Sequence, residues 1–255
     1  MIILKSPEEI EVMAQACSIV AKTLDYVGNM IKPGVTTGQI EQAAEAYIKS
    51  NNATPAFKGY RGYPACICAS VNNEVIHGIP SDRRLEEGDI LGVDLGVYKG
   101  GFYGDAAYTF PVGKTEAETE RLLRVAEEAL YRGIRNALPD KRISDISYAI
   151  QNHVESNGFT VVRAFVGHGI GRNLHEDPQI PNFGQPGRGH RLRPGMTLAI
   201  EPMVNAGGYE VVVLNDGWTA VTMDGKLSAH FEHTIAVTEN EPRILTQLLE
   251  KEYTI

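Results

Sequence analysis

Asp94 and Asp105 are spaced to meet. The segment 90–98 alternates as a strand, with Leu91, Val93, Leu95 and Val97 on one face and Ile90, Gly92, Asp94, Gly96 and Tyr98 on the other. Two glycines clear the space around Asp94. A second strand, from about Phe102 to Val112, carries Asp105, and a tight turn at Lys99-Gly100 would set the two aspartates directly opposite each other. Cross-strand neighbours of that kind have Cβ atoms about 4.5–5.5 Å apart. Carboxylates that close repel unless a proton or a cation lies between them. A shared divalent ion is one resolution; a solvated or capping role for either aspartate alone is the other.

Further candidates lie downstream. Residues 161–166 read as a strand leading into Gly-His168-Gly-Ile-Gly, while Glu201 and Glu232 sit in the apolar runs TLAIEPMV and AHFEHTIAV. A buried carboxylate without a partner is costly, so such groups are paired or metal-bound. The one adjacent candidate cation is His233, which weakens the ion-pair alternative. Four carboxylates and one imidazole suit two hard-to-borderline divalent ions.

The elements that must position these groups repeat. Residues 31–48 turn at Pro33-Gly34 and start a helix, and residues 137–154 do the same around Pro139, with Ile40 and Ile146 each seven residues past the proline. Thr36 with Gln39 resembles a capping box, and Ser144 is placed to cap the second copy. A helical pattern precedes each turn, at 7–30 and 115–136, and strand-like runs follow at 64–112 and 159–237. This predicts an α+β fold of two related halves, 1–112 and 113–255, forming a single domain with the site at their junction.

Composition narrows the class. The chain has 255 residues, 43% hydrophobic and 22% charged, with a formal net charge of −8. That charge, with no basic run, argues against nucleic acid as a partner. Cys17, Cys66 and Cys68 form an odd set without a Cys-x-x-Cys pair, which fits a reducing compartment rather than a zinc ribbon. No apolar stretch approaches the ~20 residues a membrane span needs, and the N-terminus lacks a secretory-signal pattern. The expectation is a soluble cytoplasmic protein.

The strings NNEVIHGIP, GVDLGVYKGGFYGDAA, GHGIGRNLHEDP, AIEPMV, NDGWTA and FEHTIAV occur in the order found in methionine aminopeptidases. The chain resembles the type I form of that family over essentially its whole length. The resemblance implies the pita-bread fold, two pseudo-symmetric halves with antiparallel sheet covered by helices. It implies two divalent ions (cobalt, manganese, iron or zinc), with Asp105 and Glu232 bridging them, Asp94 completing one site, and His168 with Glu201 completing the other. Glu201 would also shuttle protons, while His77 and His175 would contact substrate and stabilise the tetrahedral intermediate. Phe57, Tyr60, Tyr63, Cys68 and Trp218 would line the methionine slot, where aromatic walls suit a thioether. The implied substrate is the N-terminal peptide of nascent proteins with a small second residue, met by a monomer in transient association with the ribosome. His153, His190, His230 and His233 are left as structural residues.

Departures from that family are Leu174 before the second catalytic histidine, the large Phe57, Gly96 and Ala106 in place of hydroxyl residues, and Pro139-Asp140 in place of Pro-Gly. Prolidases and aminopeptidases P share the five ligands but normally carry an additional N-terminal domain. A non-catalytic pita-bread module would be expected to lose ligands, and here all five positions are filled. The glycines from Gly167 to Gly171 do not have dinucleotide-loop spacing. A paired-carboxylate glycosidase would not require the histidine-glycine loops.

Overall fold

Helices come in two pairs, and local sequence starts each. The computed structural model describes residues 1–247. Ser6 caps α1 (Pro7–Gly28) through a reciprocal box with Glu9, with Pro7 at the first helical position. Met13, Ala16, Cys17, Val20, Leu24 and Val27 recur at three- and four-residue steps and are buried. The Thr36–Gln39 box opens α2 (Thr37–Ser50). The second pair is α3 (Ala117–Arg135) and α4 (Ile143–Ser156). Ser144 does not cap α4: the cap position is Arg142, whose N–H donates to the Asp145 carboxylate at 2.7 Å. A charged acceptor in the first turn outcompetes a hydroxyl there. The Ser144 hydroxyl instead bonds the Arg188 backbone in both directions. Gly133 lets the pair close, since a Cβ there would lie 2.8 Å from Ile150 Cγ1.

Each pair covers antiparallel sheet. In the first half, β2 (Ile90–Lys99) runs between β1 (Cys68–Val71) and β3 (Phe102–Pro111). Leu91, Val93, Leu95 and Val97 pack with Val20, Leu24, Ile40 and Ile48 of α1 and α2 in one buried cluster. That leaves the opposite face, with Asp94, toward the second half.

The second half contains β4 (Gly167–Gly169), β5 (Glu176–Ile180), β6 (Thr197–Ile200), β7 (Met203–Asn205), β8 (Ser228–His230) and β9 (His233–Ala236). β9, β6, β4 and β5 form one sheet in that order, and β7 pairs with β8. The expected strand at 161–166 shrinks to Thr160–Val161. The chain bends at Arg163-Ala164, where the Arg163 guanidinium lies over the rings of Phe183 and Tyr209. α3 and α4 bury Leu122, Val125, Ile146 and Ile150 against Leu198, Ile200 and Ile235.

The halves meet along β3. Thr109 Oγ1 donates to the His230 carbonyl at 2.8 Å and accepts from the His230 N–H at 2.9 Å. Two residues along, Glu232 N–H donates to the Ala107 carbonyl at 2.9 Å. Two further, Thr234 Oγ1 donates to the Asp105 carbonyl at 2.7 Å and accepts from its N–H at 3.1 Å. Two threonine hydroxyls thus extend a one-bond ladder into a seam. Among the described residues, no helix is long and apolar enough to cross a membrane.

Candidate active site

Four carboxylates stand in a row across this seam. Asp94 does not face Asp105 directly: Asp94 pairs with Ala107, and Asp105 with Gly96. The turn centres on Gly100-Gly101 rather than Lys99-Gly100, and both glycines have positive φ, as tight hairpins require. The aspartates are therefore diagonal neighbours on one face, within reach of each other's side chains. Glu201 and Glu232 take the direct-opposite arrangement instead. Ile200 pairs with His233 and Met203 with His230, and that single register, continued through the interruption, sets Glu201 opposite Glu232. Across adjacent strands the order is Asp94, Asp105, Glu232, Glu201.

Burial makes the row electrostatically expensive. Asp94 Oδ1, Asp105 Oδ1 and Glu232 Oε1 are buried oxygens without a hydrogen-bond partner. Burial first, opposed by hydrogen bonds from Cys68 and Asp105, raises the Asp94 carboxyl to about 7. Burial, then repulsion from its neighbours in the row, also raises Asp105, Glu201 and Glu232 well above the carboxylate range. Ligand atoms of Asp105, His168 and Glu232 lie within 4.8 Å of one another. Orphaned acceptors at that spacing fit divalent cations.

His168 is oriented from behind. Its Nδ1 lies 2.8 Å from the Gly169 carbonyl, which can only accept, so the proton sits on Nδ1 and Nε2 is free. Nε2 faces Glu201 Oε1 at 3.6 Å. Burial lowers this imidazole to about 4, keeping it neutral. The His168 and His175 rings lie 4.2 Å apart, and His175 Nδ1 is 2.8 Å from the Tyr60 hydroxyl. Burial, then the neighbouring His168 and Arg61, lowers His175 to about 3. Burial likewise lowers His77, which stands at φ 60°, a conformation non-glycine residues adopt at a cost of about 1–3 kcal/mol.

One cavity of about 140 Å³ collects all of these groups. Its apolar wall is Phe57, Tyr60, Tyr63, Cys68 and Trp218, so the structure brings every singled-out residue to the same cleft. Tyr63 and Trp218 meet edge to face at 5.1 Å, and the Tyr63 hydroxyl is tied to the carbonyls of Ile67 and Gly78. Asp216 accepts from the N–H groups of Trp218 and Thr219, fixing the turn that presents the indole. Burial pushes the Cys68 thiol upward, and Asp94 adds to it, which disfavours a thiolate. A larger cleft of about 350 Å³ between α1 and α3 touches Glu232 but not Asp94, Asp105 or Glu201.

Four neighbours escape the sequence reading. Arg61 lines the cavity, Asn182 donates to the Glu201 carbonyl at 3.0 Å, and Thr234 clamps the Asp105 backbone. His230, not His233, is the second imidazole beside Glu201, at 3.7 Å; His233 turns to Tyr131 and Thr246. For Thr234 the seam is the missing signal, because it joins residues more than a hundred positions apart.

Residues 11–239 match metallopeptidase family M24, and the chain belongs to that family. Within it the similarity is to methionine aminopeptidases. The chain is 54% identical to the methionine aminopeptidase of Clostridium perfringens over 96% of this chain and 99% of that one. To methionine aminopeptidase 1 of Bacillus subtilis it is 53% identical, over 97% and 100%. The solved methionine aminopeptidase of Thermotoga maritima superposes with a TM-score of 0.96 at 52% identity, covering 97% of this chain and all of that one. The prolidase of Pyrococcus furiosus, at 24% identity and TM-score 0.79, shares the fold.

Proposed function

We propose that this chain removes N-terminal methionine from nascent proteins and peptides whose second residue is small. The observation that carries the reading is the row of four carboxylates, three of them with a buried oxygen that has no partner, beside an aromatic-walled slot, in a chain more than half identical to methionine aminopeptidases. The catalytic unit is the single domain 1–255, its halves meeting near residue 112, and it works as a cytoplasmic monomer on chains leaving the ribosome.

Asp105 and Glu232, central in the row, would bridge two divalent ions; Asp94 would hold one and His168 with Glu201 the other. Cobalt, manganese, iron and zinc all suit the donors. Such ions supply Lewis acidity toward the carbonyl and acidify a nearby water. The remaining work falls to side chains. Glu201 takes the proton from the attacking water as the C–O bond forms, then delivers it to the leaving nitrogen as the C–N bond breaks. With the Tyr60 hydroxyl donating to Nδ1, neutral His175 keeps its proton on Nε2, in a ring that lines the cavity. That proton stabilises the oxyanion, and His77, in the same cavity, contacts the peptide. Tyr63, Trp218, Phe57 and Cys68 exclude water from the side chain being recognised.

The test is turnover of Met-Ala, Leu-Ala and Ala-Pro peptides after chelation and with each metal restored. Turnover of Met-Ala alone, lost on chelation and regained with metal, supports the reading. Preferred release from Ala-Pro would favour a prolidase-like activity, and undiminished turnover without metal would overturn the mechanism.

A further inference from the structure

His230, at the end of β8, is anchored by its backbone and unsatisfied at its ring. Thr109 clamps its N–H and carbonyl, and its Cα pairs with Met203. The residue is 4% exposed and Nε2 has no hydrogen-bond partner. The acidic group facing Nε2 is Glu201 Oε2, at 3.7 Å, while Glu201 Oε1 faces His168. One carboxylate therefore has an imidazole at each oxygen, and only the His168 ring points its free nitrogen into the proposed centre.

We infer that His230 is a positioning residue for Glu201. Its Nε2–H donates to Oε2 when that carboxylate is ionised, which turns Oε1 toward the His168 side. Closing the present gap to hydrogen-bond length takes a movement of about 0.5–1 Å. The Glu201 backbone is already held by Asn182, so the hydrogen bond fixes the remaining freedom of the side chain. A carboxylate that both holds an ion and carries a proton benefits from an outer donor that sets which oxygen does which. The inference rests on Glu201 serving in the centre as proposed above.

The experiment titrates manganese(II) into metal-free wild type, His230→Leu, His230→Gln and Glu201→Gln by calorimetry. Histidine ¹⁵N shifts of the metal-loaded wild type are recorded alongside. His230→Leu is expected to bind manganese about 10–100-fold more weakly, whereas His230→Gln, which keeps an N–H near the same place, stays within about threefold. In the leucine variant kcat falls more than KM rises, and the His230 Nε2 shift is that of a protonated ring nitrogen. Wild-type affinity in His230→Leu, equal loss in both His230 variants, or an unprotonated Nε2 overturns the inference. If Glu201→Gln binds manganese like wild type, the ligand role of Glu201 fails and the inference falls with it. Weak binding by Glu201→Gln with normal binding by His230→Leu removes the inference alone. A leucine variant that does not fold leaves the glutamine variant and the ring-nitrogen shift to decide.

Discussion

The ring of Phe57 occupies the space that a side chain at residue 96 would need. A Cβ built on Gly96 would lie 2.8 Å from Phe57 Cε1 and 2.9 Å from the Cβ of Ala56. Two departures from the family pattern, a large residue at 57 and none at 96, are therefore one packing solution.

The coupling is measurable. Gly96→Ser alone is expected to destabilise by about 1–3 kcal/mol through overpacking. Combined with Phe57→Ala, which removes the nearer of the two obstructions, it should cost less than the sum of the two single changes by at least about 0.5 kcal/mol. Urea unfolding of the four proteins gives the interaction term, and strict additivity would refute the shared-space account.

Removing charge from the row separates stability from activity. Glu232→Gln, or Asp105→Asn, relieves repulsion among buried carboxylates. The metal-free protein should become more stable at pH 7.5, on the order of 1–3 kcal/mol. Turnover should drop below detection. Thermal melts in chelator and peptide assays check both, and lower metal-free stability in both variants would contradict the electrostatic argument.

Proton release should accompany metal binding. Asp94 stands at about 7 when folded against an ordinary 3.8, so between those values the folded, metal-free protein holds a proton that the unfolded chain has lost. The stability this contributes is full below pH 3.8 and lost as pH rises to about 7. The imidazoles of His168 and His175, lowered to about 4 and 3, act the other way. Their contribution is full above the ordinary 6.5 and is lost as pH falls through the folded values. A metal ion requires the carboxylates ionised. Titration at pH 6 in two buffers of different ionisation heat should therefore register protons leaving, and affinity should rise up to neutrality. No release at pH 6 would count against the raised Asp94.

His175→Ala should lower kcat by about 10²–10³ with a smaller change in KM, the loss typical of one oxyanion donor. Tyr60→Phe, which removes only the group at Nδ1, should produce a milder fall. Steady-state kinetics on one methionyl peptide distinguishes this from a binding role, in which KM would carry the change.

Much of this is local enough to read from sequence. The alternation over 90–98 separates Asp94 from the leucines and valines that α1 and α2 cover, and the Thr36–Gln39 box marks the start of a helix. Register is less legible. One residue of difference in turn placement moves Asp105 from the position opposite Asp94 to the diagonal, because a shifted turn re-pairs the whole hairpin. The cap at Arg142 is missed because a carboxylate inside the first turn can replace a hydroxyl before it. The contact of His230 with Glu201 has no local signature, since it depends on two strands meeting in one register.

The threonine seam also bears on how the protein is made. Thr109 and Asp105 find their partners 121 and 129 residues further along the chain. During synthesis the first half emerges with the β3 edge open and both aspartates without the glutamates that complete the row. Only when the strand through His230, Glu232 and Thr234 has left the ribosome can that edge close and the four carboxylates assemble. Assembly of the carboxylate row, and with it any centre built on all four groups, therefore waits for the second half of the chain.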